Sequence, residues 1–361
     1  MVHVTAVIMV KNEENTILTT LNSLSSNFIN RIIVHDTGSI DRTVKQCIEW
    51  RDENTEIPLH VTEGPWTNFA ESRNDSLCSC EGFADSDWIL HLDANDETRL
   101  AQGYEWKDVK SYLFSESTTT AQLVHRHLLM KDDTIKFKLG RLHRLRSNPQ
   151  WKFSGPVHEI LTNGCPDGPD GPDGSGAAMD VCPGLIVYQD REDDFKKTLS
   201  RGRFEWDVKV LKEEIEKKPH SSRSWFYLGT TLQHLKKHEE ALAAFSRRCE
   251  LSGGFLPESY LARLHCGDLC HQMGRCEEAI LWYLRASCFA EEKMKPRAEG
   301  MFAIGFLMEQ LGHNHLAFQF MRASCDADAN DIAGSFNNKL YTQDRWAGMA
   351  RTAKLCNFEV S

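Results

Sequence analysis

The sequence predicts a two-part chain: an α/β domain with a mostly parallel sheet and helices on both faces, followed by an all-α domain. Three observations carry this reading. Short apolar runs alternate with helical spacings through the N-terminal part. Polar and acidic clusters stand directly after three of those runs. In the C-terminal part, glycines and alanines recur at a fixed interval of 38 residues (Gly229, Gly267, Gly305; Ala241, Ala279, Ala317).

Val4–Val10 is a continuous apolar run, suited to a strand buried on both faces. Residues 13–24 then space Ile17, Leu18, Leu21 and Leu24 as a helix does. A second strand follows at 31–35, a helix at 41–50, a third strand at 57–61 and a helix at 69–78. The run DWILHL, residues 87–92, is a fourth strand that ends in acidic residues. This β-α-β-α order predicts parallel pairing. Ligands of such sheets bind beyond the carboxyl ends of the strands. Three clusters stand at such ends and are expected to converge: Lys11-Asn12-Glu13, Asp36-Thr37-Gly38-Ser39 and Asp93-Ala94-Asn95-Asp96-Glu97. From about 119 to 161 the pattern shifts to shorter strand-like pieces. Residues 163–176 repeat Pro-Asp-Gly three times, which predicts a flexible surface loop over 163–183.

The unit WFYLGTTLQHLKKHEEALAAF opens the repetitive half. It matches the tetratricopeptide pattern of Trp-x2-Leu-Gly followed by Ala-x3-Phe. Each alanine follows its glycine by 12 residues, and Phe245, Tyr283 and Met321 come four residues later. Small residues at these places let paired helices approach closely. Cys266 and Cys270 fall where the preceding repeat has Leu228 and Leu232, so they are expected in the helical core rather than on a metal with Cys276.

Charge and cysteine content bound the partners. Lys plus Arg is 42 and Asp plus Glu 52, a net charge of -10 in 361 residues. This balance speaks against nucleic-acid packaging. No run of 18 apolar residues is present, so no transmembrane segment is expected. The start, MVHVTAVIMVKNEEN, reads as a strand and a helix start rather than a signal peptide. Twelve cysteines scattered between Cys47 and Cys356 are expected as free thiols in a reducing, cytoplasmic setting.

The cluster after the fourth strand carries the chemistry. Carboxylates at the end of a buried strand are costly without a partner, and a divalent cation with oxygen ligands is one natural partner. Asp36 can accept from a base N–H, and Ser39 or Asp41 can cap the next helix. The segment Phe69-Ala70-Glu71-Ser72-Arg73-Asn74 provides a cation and an amide just upstream of the acidic strand.

The pieces VIMVKNEENTI, IIVHDTGSIDRT, NFAESRNDSL and WILHLDANDE, in this order and spacing, resemble family 2 glycosyltransferases of the GT-A fold over residues 1 to about 160. Joined to the repeats, they resemble the subgroup that includes bacterial peptide S-glycosyltransferases. WKFSGPVHEIL, residues 151–161, is similar to that subgroup's Gly-x-Val-His-Glu segment. The resemblance implies a GT-A domain over 1–194 and a tetratricopeptide-like domain over 195–361. It implies a UDP-sugar donor with Asp36 on the uracil ring, and Val10, Asn12, Glu14 and Ser39 around the nucleotide. Asp93 and Asn95 would occupy the ends of an Asp-x-Asp motif holding Mn2+ or Mg2+ on the diphosphate. Arg73 would face phosphate or sugar, and His158 would be a further metal or diphosphate ligand. Two positions depart from the pattern. Asn95 stands where the family has Asp, and residues 185–189, LIVYQ, stand where relatives carry a histidine.

The implied reaction is one in-line displacement with inversion. The metal would act as Lewis acid and a carboxylate as base. Glu159 is the first candidate for the base, with Asp96 and Glu97 behind it. These residues also have plainer uses. Asp41 and Thr43 suit a helix cap, Arg73 a surface ion pair, His158 a structural hydrogen bond, and Trp66 packing at a sheet edge. The expected function is a metal-dependent inverting transfer from a UDP-sugar to a glycan, peptide or protein side chain, with the repeats holding the acceptor or pairing two copies. The alternative is a degenerate first domain in a partner-binding scaffold. Nucleotidyl transfer is a third reading, weakened by the lack of a Gly-rich phosphate loop.

Overall fold

The computed structural model describes residues 3–83, 87–115, 121–130, 133–147, 150–162, 180–190, 201–293, 297–326 and 343–356. It divides into two units, Met1–Ser200 and Arg201–Ser361.

The first unit opens as the sequence predicts. Strands β1 (Val4–Val10), β2 (Arg31–Asp36), β3 (Leu59–Glu63) and β4 (Trp88–Asp93) alternate with helices α1 (Ile17–Asn22), α2 (Thr43–Glu53) and α3 (Phe69–Glu81). Next come β5 (Glu97–Leu100), α4 (Trp106–Phe114), β6 (Ala121–Met130), β7 (Asp133–Arg144), β8 (Lys152–Ser154), β9 (Ile160–Thr162) and β10 (Asp180–Asp190). The main sheet has the order β3-β2-β1-β4-β7-β6-β10-β5, and β8 pairs with β9 in a small second sheet. The first four strands are mutually parallel. β7 runs antiparallel to β4 and β6, while β10 is parallel to β6 and antiparallel to β5.

Strand alternation builds a core on each face. Val4, Ala6, Ile8 and Val10 pack with Leu21 and Trp50 on one side. Val7, Ile33 and Ile89 pack with Leu77 and Cys80 of α3 on the other. The helix expected over 13–24 is confined to α1. The backbone N–H groups of Asn12, Glu13 and Glu14 are instead drawn to Ser39, Thr43 and Asp41, and Thr16 closes a turn on Glu13. The strand-like pieces after 119 are longer than expected. β6 and β7 pair along most of their length, and the basic residues interleaved in them mask the apolar run. Of the loop expected over 163–183, residues 163–179 lie outside the described residues. Asp180 already begins β10.

β4 and β7 bury a histidine pair. His91 and His143 are each 1% exposed, with Nε2 atoms 3.2 Å apart and rings stacked at 5.3 Å. Phe153 meets His91 edge-on. Burial, then His143 and the arginines nearby, holds His91 well below the usual imidazole range. Burial brings His143 down to about 4.

The second unit is a row of helical hairpins: α5 (Arg201–Lys217), α6 (Ser222–His234), α7 (His238–Glu250), α8 (Leu256–Gln272), α9 (Cys276–Lys293), α10 (Ala298–Gln310), α11 (Asn314–Cys325) and α12 (Arg345–Leu355). The 38-residue interval is a packing rule. Gly229 lies against Phe245, Gly267 against Tyr283, and Gly305 against Met321. Ala241, Ala279 and Ala317 are fully buried beside them. Cys266 and Cys270 are fully buried, as expected, and the cysteines among the described residues are free thiols.

Two outcomes follow from this packing. A Cβ at Gly229 would stand 2.7 Å from the Phe245 ring. Gly229→Leu is therefore expected to destabilise the helical unit by about 1–3 kcal/mol or more, read as a lower urea midpoint by circular dichroism. The histidine pair is neutral when folded, whereas unfolded imidazoles take protons below about 6.5. A depressed folded pKa gives stability that is present at neutral pH and lost as pH falls from about 6.5 toward 4. The loss reaches about 3 kcal/mol for His143. Nitrogen-15 shifts should show both rings neutral at about pH 5, where unfolded imidazoles are charged. A charged His91 or His143 signal there would contradict this.

Candidate active site

The three polar clusters do share one edge of the sheet. In register, Val10 stands opposite Asp36 and Met9 opposite Asp93. The first two clusters are laced together. The Val10 carbonyl accepts from the Thr37 backbone and hydroxyl, each at 3.0 Å. Asn12 sits at φ 57°, a conformation Asn tolerates. Its N–H donates to Ser39 Oγ (2.9 Å) and its Oδ1 accepts from Ile40 N (2.8 Å). Glu14 gives its N–H to Asp41 and accepts from Arg42 N at 3.1 Å. Asp36 accepts from the backbone of Gly38 and Ser39 and from the Ser39 hydroxyl at 2.5 Å. Lys11 lies over the half-buried Trp66, 5.6 Å from the ring centroid, and Trp66 meets Phe69 edge-on.

The third cluster is a knot of six charges. Asp93 ends β4, and its side chain is 28% exposed. Arg73 of α3 donates from Nη2 to Asp93 Oδ1 and from Nε to Glu159 Oε1, the latter at 2.7 Å. Arg126 of β6 donates from Nη2 to Asp93 Oδ2 (3.1 Å), Asp96 Oδ1 (2.7 Å) and Gln189 Oε1 (3.1 Å). Arg141 of β7 approaches Asp93 at 3.7 Å and Glu159 at 3.6 Å. Arg73, Arg126 and Arg141 are 3%, 3% and 6% exposed. Burial of this depth is tolerable for charges that are paired.

Electrostatics follow from the pairing. Burial opposes ionisation of Asp93, yet Arg141, Arg73 and Arg126 hold its carboxyl well below the usual range. Glu159 is treated alike: burial pushes up, and Arg73 and Arg141 bring it down. Burial and the neighbouring Asp93 charge push Asp96 up. Asp96 is fully buried, accepting from the Asp93 backbone N–H at 2.8 Å and from Arg126. That position suits an anchor of the 93–96 turn, and Asp96 stood behind Glu159 as a candidate base.

Glu159 reaches the knot because its loop is tethered. The Asn74 side chain donates to the Phe153 carbonyl (2.9 Å) and accepts from the Phe153 N–H (2.8 Å), joining α3 to β8. Between β8 and β9 the chain turns through Gly155 at φ 97° and His158 at φ 51°. His158 is exposed, whereas the Glu159 side chain is 8% exposed.

As arranged, these residues do not fit a divalent cation. Both oxygens of Asp93 accept from arginines, and Asn95 Oδ1 accepts from the Gln189 amide. Among the described residues, no group of three or more His, Cys, Asp and Glu side chains is placed to hold a metal. The set expected from the sequence, Asp93, Asn95 and His158, has its first two members committed to other partners.

Arg126, Arg141 and Gln189 are the residues that sequence reasoning missed. Arg126 lies within LVHRHLL and Arg141 within KLGRLHRL, basic residues inside otherwise strand-like runs. An arginine in the middle of a strand of an interior sheet is a signal of a buried counter-ion. Gln189, noted only as a departure, joins Asn95 to Arg126.

Residues 5–99 match Glycosyl transferase family 2. A TPR repeat-containing protein of Synechococcus elongatus is 29% identical over 162 residues, 45% of this chain and 36% of that protein. The SPbeta prophage-derived glycosyltransferase SunS of Bacillus subtilis is 25% identical over 240 residues, 66% of this chain and 51% of that protein. The chain thus spans between about a third and a half of the curated relatives it matches. A crystal structure of the MamA protein aligns with 45% of this chain and 78% of its own, at 15% identity and a TM-score of 0.34. No helix among the described residues is long and apolar enough to cross a membrane. The sheet that carries the charged knot thus begins with a segment, residues 5–99, that matches Glycosyl transferase family 2, and the helical hairpins that follow it in the chain carry the 38-residue repeat.

Proposed function

We propose that this chain is a glycosyltransferase that takes a sugar from a nucleoside diphosphate donor, in the first instance UDP, and passes it with inversion to a glycan, peptide or protein side chain. The observation that carries the reading is the convergence of Arg73, Arg126 and Arg141 on Asp93, at the carboxyl edge of a family 2 sheet. Such edges bind ligands in open α/β folds. Sugar transfer from a nucleotide leaves a diphosphate with a new negative charge. Cations fixed in advance at that place stabilise the transition state without reorganisation.

The turn around Asp36, Ser39 and Asn12 would hold the base and ribose, and Trp66 beside Lys11 offers an apolar wall. Glu159 is proposed as the base. Arg73 and Arg141 keep it ionised, the state a base must start from. A diphosphate that draws those cations toward itself would raise the basicity of Glu159 at the moment of attack. The helical unit would position the acceptor.

The experiment is donor hydrolysis by the purified chain across UDP-, GDP- and CMP-sugars, with Mn2+, Mg2+ or EDTA, quantifying released nucleotide. Slow release of UDP from one sugar is expected. No release, together with no donor binding by calorimetry, would favour the partner-binding scaffold. Glu159→Gln is expected to lower turnover by about a hundredfold or more while the donor still binds. Unchanged turnover in that variant would place the base elsewhere.

A further inference from the structure

Arg141 differs from the other two arginines of the knot. Arg73 and Arg126 give hydrogens to carboxylates at hydrogen-bond distance. Arg141 is equally buried, at 6% exposure, yet its Nε and Nη1 make no hydrogen bond. Its nearest carboxylate oxygens lie at 3.6 and 3.7 Å. A buried guanidinium with unused N–H groups is costly unless something else receives them.

The strand geometry presents this side chain on purpose. Gln122 of β6 is paired with Leu142, but the next residue, Leu123, is paired with Gly140. Arg141 is the extra residue of that β-bulge. A bulge re-aims a side chain and frees it from the regular pleat. The re-aimed group faces Asp93, the most open carboxylate of the knot, and Glu159.

The charges decide what it can receive. Arg73, Arg126 and Arg141 are balanced by Asp93, Asp96 and Glu159. A divalent cation on Asp93 would have to displace Arg73 and Arg126 and leave them buried with less counter-charge. An anion asks less: Arg141 has only to turn toward it from contacts of 3.6 and 3.7 Å, bringing N–H groups that make no hydrogen bond. Planar guanidinium matches phosphate oxygens two at a time.

We propose that Arg141 is the receptor for the donor's diphosphate, and that guanidinium groups led by Arg141 meet the leaving group's charge in place of a divalent ion. The inference rests on the glycosyl-transfer reading above and names the group that binds the leaving part of the donor. No bond to the protein forms: the acceptor atom bonds to the anomeric carbon and gives its proton to Glu159, the anomeric carbon–oxygen bond to the donor breaks, its electron pair stays on the diphosphate, and Arg141 hydrogen-bonds that oxyanion.

The test is calorimetric binding of UMP, UDP and inorganic pyrophosphate to the full chain, in EDTA and with Mg2+ or Mn2+. It compares wild type with Arg141→Met and Arg141→Lys, each checked for folding by circular dichroism. Wild type is expected to bind UDP in EDTA, and more tightly than UMP. Arg141→Met should lose that preference by about tenfold or more, with UMP affinity little changed, and Arg141→Lys should recover part of it. Two results overturn the proposal: UDP binding by wild type only when a divalent ion is present, or wild-type UDP affinity in Arg141→Met. If pyrophosphate binds through Arg141 but neither nucleotide does, the anion site stands and the nucleotide reading falls. If neither pyrophosphate nor nucleotide binds, the proposal falls with it.

Discussion

The carboxylate of Asp93 is the interaction on which the first unit's functional edge depends. It sits at the end of the strand nearest the centre of the sheet and takes Arg73 from a helix on one face, Arg126 from β6, and the approach of Arg141 from β7. Three separately encoded elements are thereby tied to one point. None of these arginines could be buried to this depth alone, since an unpaired charge in the interior is far more costly than a paired one. Asp96 and Glu159 complete the balance, one beneath the turn and one on the β8–β9 loop. The edge is therefore an ionic assembly held by apolar strands, and its geometry is set before any ligand arrives.

That prior arrangement matters for a reaction in which charge moves. Dipoles and ions that already point at the leaving group lower the barrier without being reorganised during the step. The tether from Asn74 to Phe153 belongs to the same logic. It fixes the short second sheet against α3, and so fixes Glu159 against Arg73. A loop residue gains the placement of a core residue because its flanks are bound by backbone hydrogen bonds.

Much of this was legible in the sequence. The apolar runs gave β1, β2 and β4 to within a few residues, because strands buried on both faces leave near-continuous Val, Ile and Leu. The hairpins were legible because Gly229, Gly267 and Gly305 each face a large partner 16 residues on, a spacing visible in the letters. Helix α1 was over-read, since hydrophobic spacing cannot reveal that Asn12, Glu13 and Glu14 give their N–H groups to the 39–43 turn. The site was half legible. Asp93 stands out in a polar segment and Glu159 beside His158 in the segment that carries the resemblance, but Arg126 and Arg141 are hidden in strands whose pairing partners are remote in sequence. The bulge at Arg141 is a property of the β6–β7 register and has no local signature.

Asn95 and Gln189, read in the sequence as two separate departures, act as one in the structure. Gln189 is 1% exposed. It accepts from Arg126 with Oε1 and donates to Asn95 with Nε2. A glutamate at 189 could accept but not donate, and Asn95 Oδ1 would lose the Gln189 amide as a donor. An aspartate at 95 would add a fourth carboxylate beside three arginines and turn a balanced knot negative, which opposes the approach of an anion. With two amides, the polar atoms are satisfied and the charge stays even. The knot can then accept a diphosphate without first being neutralised, and the pair at 95 and 189 is what keeps it so.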